Sequence, residues 1–342
     1  MQIVADRKIA TIERAEQAPT IDGILDEALW RSATVIEDLR QIMPVENGIP
    51  SEHSEFRVAY DDKNFYIAAR LASSEPEKIV RRQLIQDNEV LSDDHIEIYL
   101  DPRDSRRGGY VFYLNPNSVR HDGLVFGELE RAGFNMNWDG IWQGRATVTD
   151  SGWNAEISIP FSTLDFDPSH PDWGLNLVRF IGHDRETIGW SQRDQSATID
   201  SYGLVKGFVG VNQGLGLDVV PSISLSDEHD FVTNRDDFAV KPSLDLFYKV
   251  TPSLTAAATI NTDFSATEVD DRQVNLTRFS LFFPEKRDFF LQSADIFEFS
   301  NLTFTGRPFF SRTIGLSASG EPVDLIAGAK LAGRVGRWNI GL

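Results

Sequence analysis

The stretch SEFRVAYDDKNFYIAARLAS, residues 54–73, decides the fold class, because it has the pattern of a β-hairpin. Apolar residues occupy alternate positions on both sides of its centre, namely Phe56, Val58 and Tyr60 before it and Phe65, Ile67, Ala69 and Leu71 after it. The centre, residues 61–64, consists of turn-forming residues. A strand with one apolar face needs a second layer to cover that face, so the pattern predicts a two-sheet β-sandwich.

The same period of two recurs along the first two hundred residues. Residues 96–100, 110–114 and 153–159 each place an apolar side chain at every second position. Only residues 26–32 and 76–86 favour short helices. We therefore expect an all-β fold, with a β-sandwich over residues 9–208.

After residue 208 the alternating segments become longer. Residues 215–226, 238–250 and 253–265 each carry apolar or small side chains on one face. Strands of about ten residues joined by short turns are typical of outer-membrane barrels, although soluble sandwiches show the same alternation. We expect residues 209–342 to form the first strands of an antiparallel outer-membrane β-barrel, joined to the sandwich through the glycine-rich residues 206–218.

An aromatic-rich insert near residues 276–312 interrupts this second region. Its phenylalanines surround four charged residues in a row, Glu285, Lys286, Arg287 and Asp288. So much aromatic surface predicts packing inside a barrel lumen or against its rim. Charges among phenylalanines must pair, which predicts a salt-bridged structural element; a lumenal gate is the functional alternative.

Composition limits the partners. The net charge is -19, with 52 acidic and 33 basic residues, which disfavours a nucleic-acid partner. There is no cysteine, so disulfides and thiolate metal sites are excluded. No apolar run reaches the length of a membrane helix, and the first residues lack the apolar core of a signal peptide. We expect a fragment of an exported protein, from which the signal peptide is absent.

Three stretches of the first region resemble the family 9 carbohydrate-binding modules: DGILDEALW at 22–30, SDDHIEIYLDP at 92–102 with YVFYLNPNSVRHDG at 110–123, and NWDGIWQGRATVTDSGWNAEISIPFSTL at 137–164 with WGLNLVRF at 173–180. Residues 260–291 and 308–316 resemble an uncharacterised bacterial family in which such a module precedes an outer-membrane β-barrel. Some of its members are labelled membrane-associated hydrolases. The resemblance implies a sandwich in the periplasm or at the cell surface, with the barrel embedded in outer-membrane lipid.

Sugar binding requires an apolar platform for the ring and polar groups for the hydroxyls. Trp138 and Trp142 lie four residues apart in a loop-like stretch, and the resemblance implies that Trp190 faces them as a second platform. Neighbouring polar side chains that could bind hydroxyls are Asn137, Asp139 and Gln143. The alternative is that these tryptophans belong to the sandwich core.

Calcium, in a structural role, is the metal that the sequence favours, because hard oxygen donors dominate. The best candidate ligands are Asp93, Asp94, Glu97 and Asp101. Their spacing does not match an EF-hand loop, and acidic residues at strand ends are commonly turn formers exposed to solvent.

The sequence therefore predicts carbohydrate binding, with a polysaccharide or oligosaccharide as partner and a role in glycan capture, anchoring or transport. Two alternatives stay open. One is a xylanase-like hydrolase, although no catalytic motif occurs and an enzyme is disfavoured. The other is a periplasmic docking domain of an export or assembly barrel, which would leave the tryptophans buried.

Overall fold

The computed structural model describes most of the chain. The described residues are 7–126, 133–136, 138–192, 199–230, 235–251, 253–262, 285, 287–291, 296–297, 311–315, 323, 325–335 and 338–342. The chain divides into two compact units, Met1–Gly214 and Leu215–Leu342.

Fifteen strands are described in the first unit: β1 (Ile9–Thr11), β2 (Glu13–Arg14), β3 (Thr34–Ile36), β4 (Arg40–Met43), β5 (Ser54–Tyr60), β6 (Asn64–Ala72), β7 (His95–Asp101), β8 (Gly108–Leu114), β9 (Arg120–Phe126), β10 (Gly133–Asn135), β11 (Gln143–Thr149), β12 (Gly152–Pro160), β13 (Asp172–Ile181), β14 (Glu186–Gly189) and β15 (Gly203–Lys206). A short helix, α1 (Ala28–Ser32), precedes β3. Single 3-10 turns occur at Pro76–Lys78 and Ile199–Ser201.

These strands form two sheets. In the part of the unit that is described, the larger sheet has nine strands, with the order β1-β15-β13-β7-β8-β9-β10 and with β14 joining β13 to β4. The smaller sheet has six, in the order β11-β12-β6-β5-β2, with β3 paired to β5. The predicted all-β sandwich is confirmed, and the hairpin of residues 54–73 forms β5 and β6 in the smaller sheet.

The core lies between the two sheets. Alternate residues of β5, β6 and β12, among them Phe56, Ile67 and Ile157, face the larger sheet and are fully buried. Residues of β7 and β13 cover them from the other side. Arg179 joins the layers at one end, because its guanidinium donates to the carbonyl oxygens of His53 and Ala72 and to Ser54 Oγ.

The prediction of a helix at residues 76–86 is wrong beyond the first turn, because only Pro76–Lys78 is helical. The backbone N–H of Val80 donates to the carboxylate of Asp94, and those of Arg82 and Gln83 donate to the carboxylate of Asp93. Buried carboxylates thus take the donors that a helix would use internally. The other expected helix is present as α1.

The second unit is a separate sheet in the order β16 (Leu217–Asp230), β17 (Arg235–Thr251), β18 (Leu254–Thr262), β19 (Leu325–Val335) and β20 (Trp338–Gly341). All its pairings are antiparallel. A short helix, α2 (Asp288–Leu291), packs Phe289 against Phe247 and Ala257. None of the helices in the described residues is long and apolar enough to cross a membrane.

The predicted ion pair of the aromatic-rich insert is confirmed for Glu285 and Arg287. Arg287 donates from Nε and Nη2 to the two carboxylate oxygens at 2.6 and 2.7 Å, and both side chains are buried. Lys286 lies outside the described residues.

Candidate functional site

Trp138 and Trp142 are buried at one end of the sandwich core, with 4% and 3% of their surfaces exposed. The ring of Trp138 lies 5.0 Å from that of Tyr110, and the ring of Trp142 lies 5.3 Å from that of Phe112. Trp142 Nε1 donates to Asp122 Oδ1 at 2.8 Å. Neither ring presents an open face to a sugar in this structure.

Trp190 lies elsewhere, directly after β14. It is 3% exposed, and its Nε1 donates to Asp38 Oδ1 at 2.9 Å. Its edge lines a pocket of about 560 Å³ beside β1 and β3. No ring contact joins Trp190 to Trp138 or Trp142 among the described residues, so the structure does not bring the three tryptophans together.

Of the polar residues predicted beside these tryptophans, Asp139 lies before β11 and Gln143 is the first residue of that strand. Asp139 and Gln143 are exposed, and Asn137 lies outside the described residues. The tryptophan platform stays a prediction, and the burial of its rings favours the core alternative.

The predicted calcium ligands do not surround one point. Asp93 and Asp94 precede β7, and Asp101 ends this seven-residue strand, about 20 Å away. Asp101 accepts hydrogen bonds from the backbone N–H groups of Arg103 and Arg106. Glu97 accepts from Tyr99 and contacts the His95 ring at 3.1 Å.

The described residues contain no group of three His, Cys, Asp or Glu that could hold a metal ion. Because the four carboxylates serve separate backbone and side-chain donors, the donor set does not fit a calcium ion shared between them. Calcium stays a prediction.

An open pocket of about 780 Å³ lies at the same end of β7 as Asp94. The β13–β14 turn forms one wall, and the segment between β6 and β7 forms another. The apolar part of its lining is Met43, Val80, Leu91 and Phe180. This size and this partly apolar lining are typical of small-molecule sites.

Buried Asp94 holds the two walls of this pocket together. Its Oδ2 accepts from Val80 N at 2.9 Å and from Gly182 N at 3.1 Å. Burial raises the pKa of Asp94, while these two donors and the charges of Arg179 and His183 oppose the increase. One carboxylate therefore fixes the spacing of both walls.

Phe180 supplies the aromatic surface of the pocket. It is half-buried on β13, and its ring lies 5.2 Å from that of His95, which is buried on the neighbouring strand. Leu91 is 47% exposed on the opposite wall. The arrangement offers apolar side chains to the C–H face of a sugar ring, with polar groups at its edge.

Little in the sequence indicates this pocket. Its residues come from three separate segments, one of which, residues 78–92, overlaps the helix predicted at residues 76–86. The one available signal was the pair Arg81-Arg82 in a strongly acidic chain.

Two family models match the chain. Residues 21–202 match the model described as "Carbohydrate family 9 binding domain-like". Residues 214–332 match the model described as "Domain of unknown function (DUF5916)". No curated protein matches the chain.

Among solved structures, the chain is similar to a carbohydrate binding module of family 9 from Caldicellulosiruptor kristjanssonii. The structure in complex with cellotriose has 17% sequence identity and a TM-score of 0.42, and the match covers 58% of this chain and 93% of that chain. The structure with glucose has 17% identity and a TM-score of 0.40, with 58% and 95% covered.

Proposed function

Over residues 21–202, more than half of its length, the chain belongs to the carbohydrate family 9 binding domain-like family, and from this premise we propose that its first unit binds a saccharide. The ligand is a polysaccharide or an oligosaccharide. Binding serves glycan capture, anchoring or transport rather than catalysis.

The pocket beside Asp94 is the observation that supports this proposal most directly. It is open and about 780 Å³ in volume, and it combines Phe180 and Leu91 with Ser92 and basic side chains. Saccharide sites need this combination, because the ring has both apolar C–H faces and polar hydroxyl edges. The three predicted tryptophans are buried, so we place the sugar here.

A glycan array followed by calorimetry on the full chain tests the proposal. The detergent must lack a sugar headgroup, which would compete for the site. Leu91→Ala should weaken binding several-fold by removing part of the apolar wall. Leu84→Ala is the matched control, because Leu84 is 74% exposed in the same segment and outside the pocket lining.

Two outcomes separate the alternatives. Equal binding by both leucine variants, with loss in a folded Trp142→Phe variant, would favour the tryptophan platform instead. Absence of binding to every glycan would contradict a saccharide ligand and leave the docking alternative, which also agrees with buried tryptophans. Repeating the titration with calcium and with chelator tests the calcium prediction.

The hydrolase alternative gains no support from this pocket. Glycoside hydrolysis uses two carboxyl groups on opposite sides of the scissile bond. The described residues that line the pocket include neither Asp nor Glu. Asp94 lies beneath the lining and is occupied by two backbone donors.

For the second unit we propose the role of an outer-membrane β-barrel segment in contact with lipid. In its sheet, Leu217, Val219, Ile223 and Leu225 of β16 share a face with Val240 and Tyr248 of β17, and all six are at least half exposed. The cross-strand register continues this face into Ala258 and Ile260 of β18. A contiguous exposed apolar face of this kind is expected to contact lipid.

This proposal places the chain in the outer membrane, with the sandwich in the periplasm or at the cell surface. The long strands β16 and β17, of 14 and 17 residues, support it, because they exceed the length needed to cross the hydrocarbon layer.

A further inference from the structure

The charged lining of the 780 Å³ pocket is entirely basic, although the chain has a net charge of -19. The four side chains concerned are Lys78, Arg82, His183 and Arg185. The acidic partners of two of them, Glu75 and Asp184, do not belong to the lining. The lining is therefore the feature from which the ligand's charge can be inferred.

Two of these groups are already paired. Lys78 Nζ lies 2.6 Å from Glu75 Oε1, and His183 Nε2 lies 3.2 Å from Asp184 Oδ2. Glu77 and Asp184 also act on Lys78 through their charge. Arg82 and Arg185, in contrast, form no ion pair within the described part of the chain, and both are exposed. Their guanidinium groups are available to a ligand.

The backbone at Arg185 determines which substitution can test its side chain. Its φ is +52°, in the left-handed region, where a residue with a Cβ is less stable than glycine. The β13–β14 turn would thus form more easily with glycine at this position. Glycine is therefore a substitution that the backbone accepts at Arg185, and equally at Arg106, whose φ is +56°.

We propose that this pocket selects an acidic saccharide, whose anionic group pairs with Arg82 and Arg185 while its ring contacts Phe180 and Leu91. This inference rests on the proposed function and names the ligand class for the same site. Guanidinium binds carboxylate and sulfate through paired, charge-assisted hydrogen bonds. Distant acidic residues are screened beyond about 8–10 Å at physiological salt. Within that distance Glu75 and Asp184 offset Lys78 and His183, so the preference for an anion rests on Arg82 and Arg185.

Calorimetry on the full chain, in detergent without a sugar headgroup, tests this selectivity with matched probes. These are trigalacturonate beside its methyl ester, glucuronate-substituted xylotriose beside xylotriose, and sulfated galactotriose beside the neutral trisaccharide. At least one acidic probe should bind about tenfold more tightly than its neutral counterpart. The difference should shrink at about 0.5 M salt, where charges are screened within about 4 Å. The carboxylate and sulfate arms identify the anionic group.

Arg82→Gln and Arg185→Gly should each reduce the preference for the acidic probe, and the double variant should abolish it. Arg185→Gly also relieves the left-handed backbone, so a folding defect is not expected. Arg106→Gly is the matched control, because Arg106 is an exposed arginine with φ +56° in a loop outside this pocket. It should keep the preference of the original protein.

Three results would overturn the inference and can be told apart. If neutral probes bind as tightly as acidic ones, or if the double variant keeps the preference, the acidic selectivity fails while saccharide binding stands. If no probe binds although the glycan array identifies a ligand, the acidic selectivity alone fails. If the glycan array is also negative, the proposed function fails and the selectivity fails with it.

Discussion

Glu156 holds the N-terminal segment on the outer side of the smaller sheet. Its carboxylate is fully buried and accepts hydrogen bonds from Asp22 N, Gly23 N and Trp30 Nε1. Burial raises the pKa of Glu156 to about 7, although these donors oppose the increase; the nearby charge of Glu27 adds to it. The acid is thus easier to protonate in the folded protein than in the unfolded chain.

Glu156→Gln should flatten the pH dependence of stability. Because the pKa of Glu156 is higher in the folded state, its contribution is fully present below about pH 4.5 and declines as the pH rises to about 7. The change across this window is on the order of 2 kcal/mol. Urea unfolding at pH 5 and pH 7 should show a larger decrease in the original protein than in the variant. The same change in unfolding free energy between pH 5 and pH 7 in both proteins would contradict a raised pKa for Glu156.

Asp122 is a second buried carboxylate, and one of its hydrogen-bond donors is Trp142. It accepts from Trp142 Nε1 and from Gly140 N, and burial raises its pKa to about 6 against the effect of both donors. Trp142→Phe removes one of these donors and leaves a buried carboxylate with a single one.

We expect Trp142→Phe to destabilise the fold by about 1–3 kcal/mol more than Trp153→Phe. Trp153 is the control because it is equally buried, while its Nε1 has no hydrogen-bond partner in the described part of the chain. The difference should be larger at pH 7 than at pH 5, where Asp122 becomes protonated. Equal unfolding free energies for both variants would contradict this role of Trp142.

Among the elements, the β11–β12 hairpin depends on one glycine. Gly152 has φ +139°, and a Cβ at this position would lie 2.0 Å from the carbonyl oxygen of Leu71. Close approach to β6 and a left-handed backbone therefore both require glycine. The three strands β11, β12 and β6 are paired around this point.

Gly152→Ala should destabilise the first unit by about 3 kcal/mol or more, because a backbone clash adds to conformational strain. Gly214→Ala is the control, since Gly214 has φ +72° and no neighbouring atom within 4 Å. It should cost only about 1 kcal/mol. Thermal unfolding compares the two, and a similar loss of stability in both variants would rule out the clash.

The contrast between two segments shows which elements can be predicted from sequence. The β5–β6 hairpin was predictable because its alternation and its turn both lie within twenty residues. The segment before β7 was not, because its conformation is set by Asp93 and Asp94, whose carboxylates accept its N–H groups from farther along the chain. Such long-range acceptors leave no periodic signal.

At the scale of the whole molecule, the two units have different surfaces. The first unit encloses its apolar residues between two sheets, whereas the sheet of the second unit exposes a continuous apolar face. The sequence predicted this difference from strand length and alternation. It could not predict the pocket, because three segments distant in sequence, near residues 43, 78–92 and 180–185, form it together.

Ile223→Arg should weaken association of the chain with lipid vesicles in a flotation experiment. Ile223 is 71% exposed on the apolar face, and an arginine in contact with lipid costs about 2–4 kcal/mol at the centre of the membrane. Ser222→Arg is the control, because the neighbouring residue points to the opposite face. Equal flotation of both variants would argue against a lipid-facing role for this side of the sheet.

The pairing of β1 with β15 has a consequence for synthesis. These strands are the first and the last of the sandwich, and they lie side by side in parallel, with Ile9 opposite Leu204. A chain emerging from the ribosome must release about two hundred residues before its first strand finds its partner. Until then the edge of β13 that β15 will cover stays open, and open edges invite pairing with other chains. The growing chain therefore needs protection from pairing with other chains until β15 and β1 have covered this edge.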